Sequence, residues 1–83
     1  MRLDDFLSTV GVVKRRTIAK ELARNGLVLV NDRKAKPAYR VKVRDVISIR
    51  GTHPVTIEVL DLPSGSVPKE HRDRFFKLLS QEQ

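Results

Sequence analysis

The sequence lacks cysteine and tryptophan, and its aromatic residues are limited to Tyr39 and three phenylalanines. Without cysteine, neither a disulfide framework nor a thiolate metal site can form. With so few aromatic rings, a surface that stacks the successive bases of a single strand is also disfavoured. No segment approaches the roughly 20 apolar residues of a membrane span. The first ten residues contain two acids and no apolar run of signal-peptide length, so we expect a soluble cytoplasmic protein.

Sequence patterns typical of catalysis are missing as well. His53 falls in a predicted turn and His71 on the charged side of a predicted helix, and neither accompanies a patterned nucleophile. Asp4 and Asp5 are adjacent, so on a helix they diverge by about 100° and cannot act as a paired acid and base. There is no glycine-rich phosphate loop, HExxH motif or cysteine and histidine cluster. We therefore expect no enzymatic activity, no cofactor and no metal.

A chain of 83 residues has room for one domain. Its positive charge is concentrated in the middle of the sequence. The formal net charge is +7. Residues 14–44, here called the basic segment, contain eleven lysines and arginines against Glu21 and Asp32, and each flanking segment has a net charge of −1. This concentration indicates a surface for nucleic acid. The alternative is an ordinary solvated charged face.

A first amphipathic helix is predicted over residues 3–10, because its apolar residues follow the i, i+3, i+4, i+7 spacing. Gly11 is expected to end it. A second helix is predicted from Arg15 or Arg16 to Asn25, and Thr17 either caps this helix or lies in its first turn.

The second helix has a basic side. Arg16, Lys20 and Arg24 fall within one sector of about 80° on the helical wheel. We expect its apolar residues to occupy the opposite side, towards the core: Ile18, Ala19, Leu22 and Ala23.

Short strands are predicted after the second helix. Leu27 to Val30 is a continuous apolar run, and Asn31-Asp32 makes a tight turn into a strand over residues 33–36. Pro37 ends that strand because it cannot donate a hydrogen bond to a ladder. Val41 and Val43 alternate with basic residues, which predicts an extended segment with one face inward.

The C-terminal half continues this pattern. Residues 46–49 and 55–59 are predicted strands, joined by a turn at 51–54. After a linker at 62–68, a helix is expected to begin at Pro68. Its apolar side would cover the core rather than bind a ligand and consists of Phe75, Phe76, Leu78 and Leu79. The order predicts an α+β fold with two N-terminal helices packed on a small, mainly antiparallel sheet and a short C-terminal helix.

The basic segment suggests how a polyanion would be held. Guanidinium groups fork onto phosphate oxygens, so Arg15 and Arg16 are candidates for rigid contacts with a nucleic-acid backbone. Tyr39 either stacks on an exposed base or lies half-buried at the end of a strand. Because aromatic stacking is limited, the pattern favours recognition of folded RNA through its backbone.

Three motifs together resemble the S4 RNA-binding domain, also called the alpha-L motif. They are MRLDxFL at the N-terminus, KRRTxAxxLxxxGxVxVN over residues 14–31, and a KP pair followed by the strand DVISI. The resemblance extends from Met1 to about Arg50. It implies two helices on a small sheet, with the second helix and the following hairpin binding structured RNA. We accordingly assign residues 1–62 to an S4-type domain and 63–83 to a linker and C-terminal helix.

Within this family the chain is most similar to the RqcP subfamily of bacterial ribosome-associated quality control, which is related to the fifteen-kilodalton heat-shock protein. That resemblance implies binding to a large ribosomal subunit obstructed by peptidyl-tRNA, contact with 23S rRNA and the tRNA, and support for RqcH in adding alanine tails. We expect a monomer that binds no membrane. The residues expected to contact RNA are Arg2, Lys14, Arg15, Arg16, Thr17, Lys20, Arg24, Asn31, Lys34 and Lys36.

Two other functions are compatible with the pattern. One is a general rRNA chaperone or large-subunit assembly factor, and the other is a protein-interaction adaptor whose basic face meets an acidic partner. Local roles compete with RNA contact as well. Arg2 can pair with Asp5. The carboxylate of Asp4 can simply stabilise the first turn of its helix, and the charge of Arg24 can interact favourably with the dipole at the C-terminal end of the second helix.

Two turns depart from the family pattern. The hairpin turn commonly reads Asn-Gly but here reads Asn31-Asp32, and the later turn commonly carries Gly-Asp but here reads Arg44-Asp45. If the second turn requires a positive φ, Arg44 is strained.

Overall fold

A computed structural model describes residues 1–81 of the chain. Five strands form one antiparallel sheet in the order β2-β1-β3-β4-β5. Two helices precede the sheet, which confirms the predicted α+β class. The elements in chain order are α1 (Leu3–Thr9), α2 (Arg16–Arg24), β1 (Val28–Val30), β2 (Arg33–Lys34), β3 (Val46–Ile49), β4 (Val55–Val59), a 3₁₀ helix (Lys69–Arg74) and β5 (Phe76–Gln81).

Helix α1 contributes three large, fully buried side chains to the core. Leu3, Phe6 and Leu7 have no solvent-exposed surface, and they pack in one core cluster with buried valines and isoleucines of β1, β3 and β4. The start of α1 is also tied to the segment that follows β2. The Leu3 amide donates to the Tyr39 carbonyl (2.8 Å), and the Asp4 amide donates to the Pro37 carbonyl (3.2 Å). The N-terminus therefore lies beside the end of the basic segment.

Helix α2 contacts the core through small side chains. Ala19 and Ala23 are buried, whereas Leu22 is only partly buried. Ile18 is 47% exposed, so its predicted place in the core is wrong. On the wheel, Ala19 and Ala23 lie next to Arg16 rather than opposite it. Because alanines permit close packing of α2 against α1, this stripe faces inward and Ile18 faces solvent.

The C-terminal part belongs to the same sheet. The short C-terminal helix is present as the 3₁₀ helix, but it ends at Arg74. Phe76, Leu78 and Leu79, which were expected on its apolar side, instead lie in β5. This strand pairs with β4 through Ile57↔Leu78 and Val59↔Phe76. The β4 edge thereby gains a hydrogen-bonded partner. Phe75 and Phe76 pack against the core as predicted, whereas Leu78 and Leu79 are exposed.

Contacts of the 3₁₀ helix bring the chain's end back to α1. The guanidinium of Arg72 lies over Gly11, where an added Cβ would require the Arg72 side chain to move. None of the helices within residues 1–81 has the length and apolar composition needed to cross a membrane. The C-terminal unit predicted over 63–83 ends in two residues that lie outside the described chain.

The segment between β2 and β3 is not a regular strand. Its residue Arg40 forms an isolated antiparallel bridge with Arg2. Val41 is buried as expected, but Val43 is 48% exposed, so the predicted inward face is limited to Val41. A turn intervenes, since the Asp45 amide donates to the Lys42 carbonyl (3.1 Å).

Both unusual turns use left-handed backbone. Asn31 and Asp32 have φ values of 52° and 69°, which is the pattern of a type I′ hairpin turn. Arg44 has a φ of 80°, at a position where a type II turn normally carries glycine. The expected strain at Arg44 is therefore present.

Candidate nucleic-acid interface

A buried aspartate joins two arginines from different elements. Asp4 in the first turn of α1 is 1% exposed and accepts hydrogen bonds from Arg2 Nε (3.1 Å) and Arg2 Nη2 (3.2 Å). Arg16 at the start of α2 lies with its Nε 3.6 Å from Asp4 Oδ2. We call Arg2, Asp4 and Arg16 the arginine clamp. Arg2 pairs here with Asp4, so the local pairing with Asp5 considered above is not formed.

The Asp4 carboxylate is held ionised by its surroundings. Burial alone would raise its pKa, but the hydrogen bonds from Arg2 and from the Asp5 amide (2.8 Å), together with the charge of Arg16, lower the pKa below its ordinary value. The role of Asp4 is therefore not limited to stabilising the first turn of α1. It fixes the guanidinium groups, whose side chains are 40% (Arg2) and 52% (Arg16) exposed.

The start of α2 presents further exposed polar residues. Arg15 is the N-cap residue without a side-chain capping bond, and Thr17 lies in the first turn. Lys14, Arg15 and Thr17 are exposed, and Lys20 one turn later is half-buried. At the other end, Arg24 Nη1 lies 3.4 Å from Glu21 Oε1, and both side chains are more than half exposed. Exposed pairs of this kind contribute little to stability, so Arg24 stays accessible to an anion.

The hairpin is fixed by a second buried aspartate. Asp45 is 7% exposed and accepts hydrogen bonds from the Tyr39 hydroxyl (2.8 Å), the Lys42 amide (2.9 Å) and Asn31 Nδ2 (3.1 Å). Asn31 Oδ1 accepts in turn from the Val46 amide (3.0 Å). Both polar atoms of the Asn31 side chain are thus used inside the protein, so its predicted RNA contact has a structural competitor.

Tyr39 is half-buried, and it lies directly after the turn at Pro37-Ala38 rather than at the end of a regular strand. The hydrogen bond to Asp45, together with burial and the Asp45 charge, raises the pKa of the Tyr39 phenol. The hydroxyl therefore remains a proton donor at neutral pH, and the ring has a fixed position.

An open groove of about 800 Å³ runs beside the hairpin. Its lining combines small apolar residues, one aromatic ring and three basic residues. We call it the hairpin groove, and its lining residues are Val30, Asn31, Arg33, Lys34, Ala35, Lys36, Ala38 and Tyr39.

The α2 side and the hairpin side are continuous. Lys34 extends over Gly26 at the end of α2, where a Cβ would lie 3.3 Å from Lys34 Cε. Gly26 has a φ of 73°, which favours glycine at a helix end. At the other side, the bridge between Arg2 and Arg40 joins the arginine clamp to the end of the basic segment. These contacts therefore link basic residues at the start of α1 and along α2 with those of the hairpin.

Three residues that shape this surface were not among the candidates: Asp4, Asp45 and Arg40. The RLD motif contains an arginine and an aspartate two residues apart, which is a signal for the first of them. Asp45 carried no such signal, because its partners are 3 to 14 residues away in sequence. Within residues 1–81, no group of three or more histidine, cysteine, aspartate or glutamate residues is placed to hold a metal ion.

Comparisons with known proteins agree with this geometry. The family model described as S4 domain matches residues 1–47. The chain is 37% identical over 83 residues to the RQC P-site tRNA stabilizing factor of Bacillus subtilis, covering 99% of this chain and 95% of the relative. It is 42% identical over 74 residues to the factor of the same name from Helicobacter pylori strain J99, covering 84% and 86%.

A solved structure shows the same fold. Heat Shock Protein 15 of Vibrio cholerae superimposes with a TM-score of 0.87, covering 96% of this chain and 82% of that protein at 23% sequence identity. The superposition includes the C-terminal part as well as the S4 segment.

Proposed function

This chain belongs to the S4 domain family, and we propose that it is a non-catalytic RNA-binding factor of bacterial ribosome-associated quality control. Relatives that align over most of both chains are named for stabilising a P-site tRNA. The basic surface described above has the charge and the rigidity that such a role requires. We expect it to act in the cytoplasm.

The arginine clamp is the observation that carries this proposal. One buried carboxylate holds two guanidinium groups, one from the residue that precedes α1 and one from the first residue of α2. The hydrogen-bond donors that do not face Asp4 are free to bind phosphate oxygens. Because Asp4 orients the arginines in advance, little side-chain entropy is lost when RNA binds. The protein would contribute position and charge, with no bond chemistry.

The proposal extends to specific partners. The target would be a large ribosomal subunit obstructed by peptidyl-tRNA, with α2 wedged between 23S rRNA and the tRNA. The tRNA would be held in place while RqcH adds C-terminal alanine residues. We further propose that the protein binds as a monomer.

Recovery of the tagged full-length chain from bacteria tests this role. We expect cryo-EM of the recovered particles to show large subunits with peptidyl-tRNA, and crosslinking with sequencing to identify 23S rRNA and tRNA. Assembly intermediates without tRNA would instead indicate an assembly factor. A complex that survives RNase treatment without ribosomal RNA would indicate a protein-interaction adaptor.

Arg16→Gln tests the clamp inside this proposal. Loss of one charge-assisted phosphate contact is expected to reduce ribosome binding about tenfold or more. Thermal unfolding should change little, because Asp4 keeps its hydrogen bonds from Arg2 and from the Asp5 amide and the Arg16 side chain is itself 52% exposed. Glutamine is chosen because a glutamate at position 16 would repel the buried Asp4 carboxylate.

Arg74→Gln is the matched control, since it removes the same charge from the exposed end of the 3₁₀ helix. Co-sedimentation with purified 50S particles measures both variants against the unchanged protein. Equal loss of binding in the two variants would show that net charge, rather than the clamp, determines the affinity.

A further inference from the structure

The hairpin groove has a wall that suits a flat ring. The half-buried ring of Tyr39 lines it together with Ala35 and Ala38. The Tyr39 hydroxyl is bound to the buried Asp45 carboxylate at 2.8 Å, so the ring cannot swing away without breaking that hydrogen bond. The volume of about 800 Å³ lies in the range of small-molecule sites, about 300–1,000 Å³.

All charged residues that line the groove are basic. Arg33, Lys34 and Lys36 line it and are exposed, and no acidic residue is among its lining residues in the described chain. The nearby Asp32 lies at the exposed tip of the turn. An occupant that matches both features has a flat apolar group flanked by anions.

We infer that the hairpin groove receives one unpaired nucleotide of a structured RNA. Its base lies against the Tyr39 ring and the alanine methyl groups, and its flanking phosphates lie on Arg33 and Lys36. This inference rests on the proposed function and adds to it that the protein reads an unstacked base as well as the backbone. An acidic peptide fits less well, because a carboxylate side chain is charged and offers no apolar ring to stack against Tyr39.

An NMR titration of the full-length chain separates base from backbone. The probes are two RNA hairpins of equal length and charge, whose loops contain either three adenosines or three abasic residues. We expect only the adenosine hairpin to shift the Tyr39 ring and the Ala35 and Ala38 methyl resonances, and to bind roughly tenfold more tightly. Equal shifts and equal affinities would overturn the inference, as would a larger shift of these resonances by a hexaglutamate peptide.

Variants in the groove provide the second test. Tyr39→Leu removes the ring and is expected to abolish the preference for the adenosine loop, whereas Tyr39→Phe keeps the ring and should retain it. Ala38→Leu places a larger side chain in the groove beside Tyr39 at an exposed position and should also abolish the preference, so the test does not depend on the folding of Tyr39→Leu. Thr52→Leu adds the same side chain at an exposed site outside the groove. If Ala38→Leu kept the preference, the base would lie elsewhere.

The two proposals fail in different ways. If the groove does not bind a base, the unchanged protein treats the two hairpins alike but is still recovered with large subunits. If the ribosomal role is wrong, no large subunits are recovered, whatever the hairpins show.

Discussion

Two buried aspartates determine where the polar side chains of the interface lie. Asp4 holds Arg2 and Arg16, and Asp45 holds Asn31 and Tyr39. A buried carboxylate is stable only when its hydrogen-bonding capacity is satisfied. The residues that satisfy it are consequently fixed in position. In this protein the same contacts that stabilise two buried charges also arrange the surface proposed to bind RNA.

Asp4→Asn tests this coupling through the pH dependence of stability. At neutral pH the variant is expected to lose about 1–2 kcal/mol in the free energy of unfolding, because the amide attracts the guanidinium groups less strongly. The folded-state pKa of Asp4 is lowered. Its contribution is therefore present above the unfolded pKa of about 3.9 and is lost as the pH falls through the lower folded value.

Urea unfolding between pH 7 and pH 2 measures this difference. The gap between Asp4→Asn and the unchanged protein should narrow below about pH 4. Asp5→Asn removes the same charge from the neighbouring, half-buried position and should show no comparable gap. A gap for Asp4→Asn that stays constant over the whole range would contradict the assigned role.

At the level of elements, the interface joins a helix start, a helix end and a hairpin. Gly26 ends α2 in left-handed backbone and is crossed by Lys34 of β2, so the helix and the hairpin meet at one point. The turn that follows, from Lys42 to Asp45, brings Asp45 under the hairpin. This turn is strained, because Arg44 has a φ of 80°.

Arg44→Gly is expected to stabilise the protein. Glycine adopts a positive φ without a Cβ clash, so the variant should exceed Arg44→Ala in the free energy of unfolding by about 0.5–1 kcal/mol. Arg44→Ala is the matched control, since it removes the same exposed charge and keeps the strain. Chemical denaturation of the two variants under identical conditions gives the difference. If Arg44→Gly were less stable than Arg44→Ala, a Cβ at this positive φ would cost no stability and the turn would not be strained.

At the scale of the whole molecule, charge is separated from the apolar part of the sheet. Residues 14–44 carry more than the entire net charge, and they include α2, β1 and β2. The opposite edge of the sheet is β5, where Leu78 and Leu79 are exposed. This separation orients the protein in the field of a polyanion, because attraction acts on one side only.

RNA binding should therefore depend steeply on salt. If six phosphates are contacted, a plot of log K against log[KCl] has a slope of about −4 to −5. Filter binding with a structured rRNA fragment between 50 and 300 mM KCl measures it. Arg16→Gln removes one phosphate contact and should make the slope less steep by about 0.7–0.9. Arg74→Gln should leave the slope unchanged. A slope near zero would argue against a backbone-dominated interface.

Local features of the sequence predicted most elements and the basic segment. The spacing of Leu3, Phe6 and Leu7 determined α1, and the turn residues Asn31 and Asp32 separated β1 from β2. Such signals are readable because helix periodicity and turn chemistry depend on neighbouring residues. Clustering of charge is likewise a property of the chain itself. Which of the ten candidate residues contact RNA stays a prediction.

Only the tertiary structure decided which groups are buried and which segments pair. Ile18 has the residue type of a core position but faces solvent, because the alanine stripe of α2 packs more closely. Leu78 belongs to a strand because β4 offers an unpaired edge. Burial of Asp4 and Asp45 is likewise a tertiary result, because Arg16 reaches Asp4 and Asn31 reaches Asp45 from distant positions in the sequence. Burial and pairing depend on which segments meet in space, so neighbouring residues alone cannot determine them.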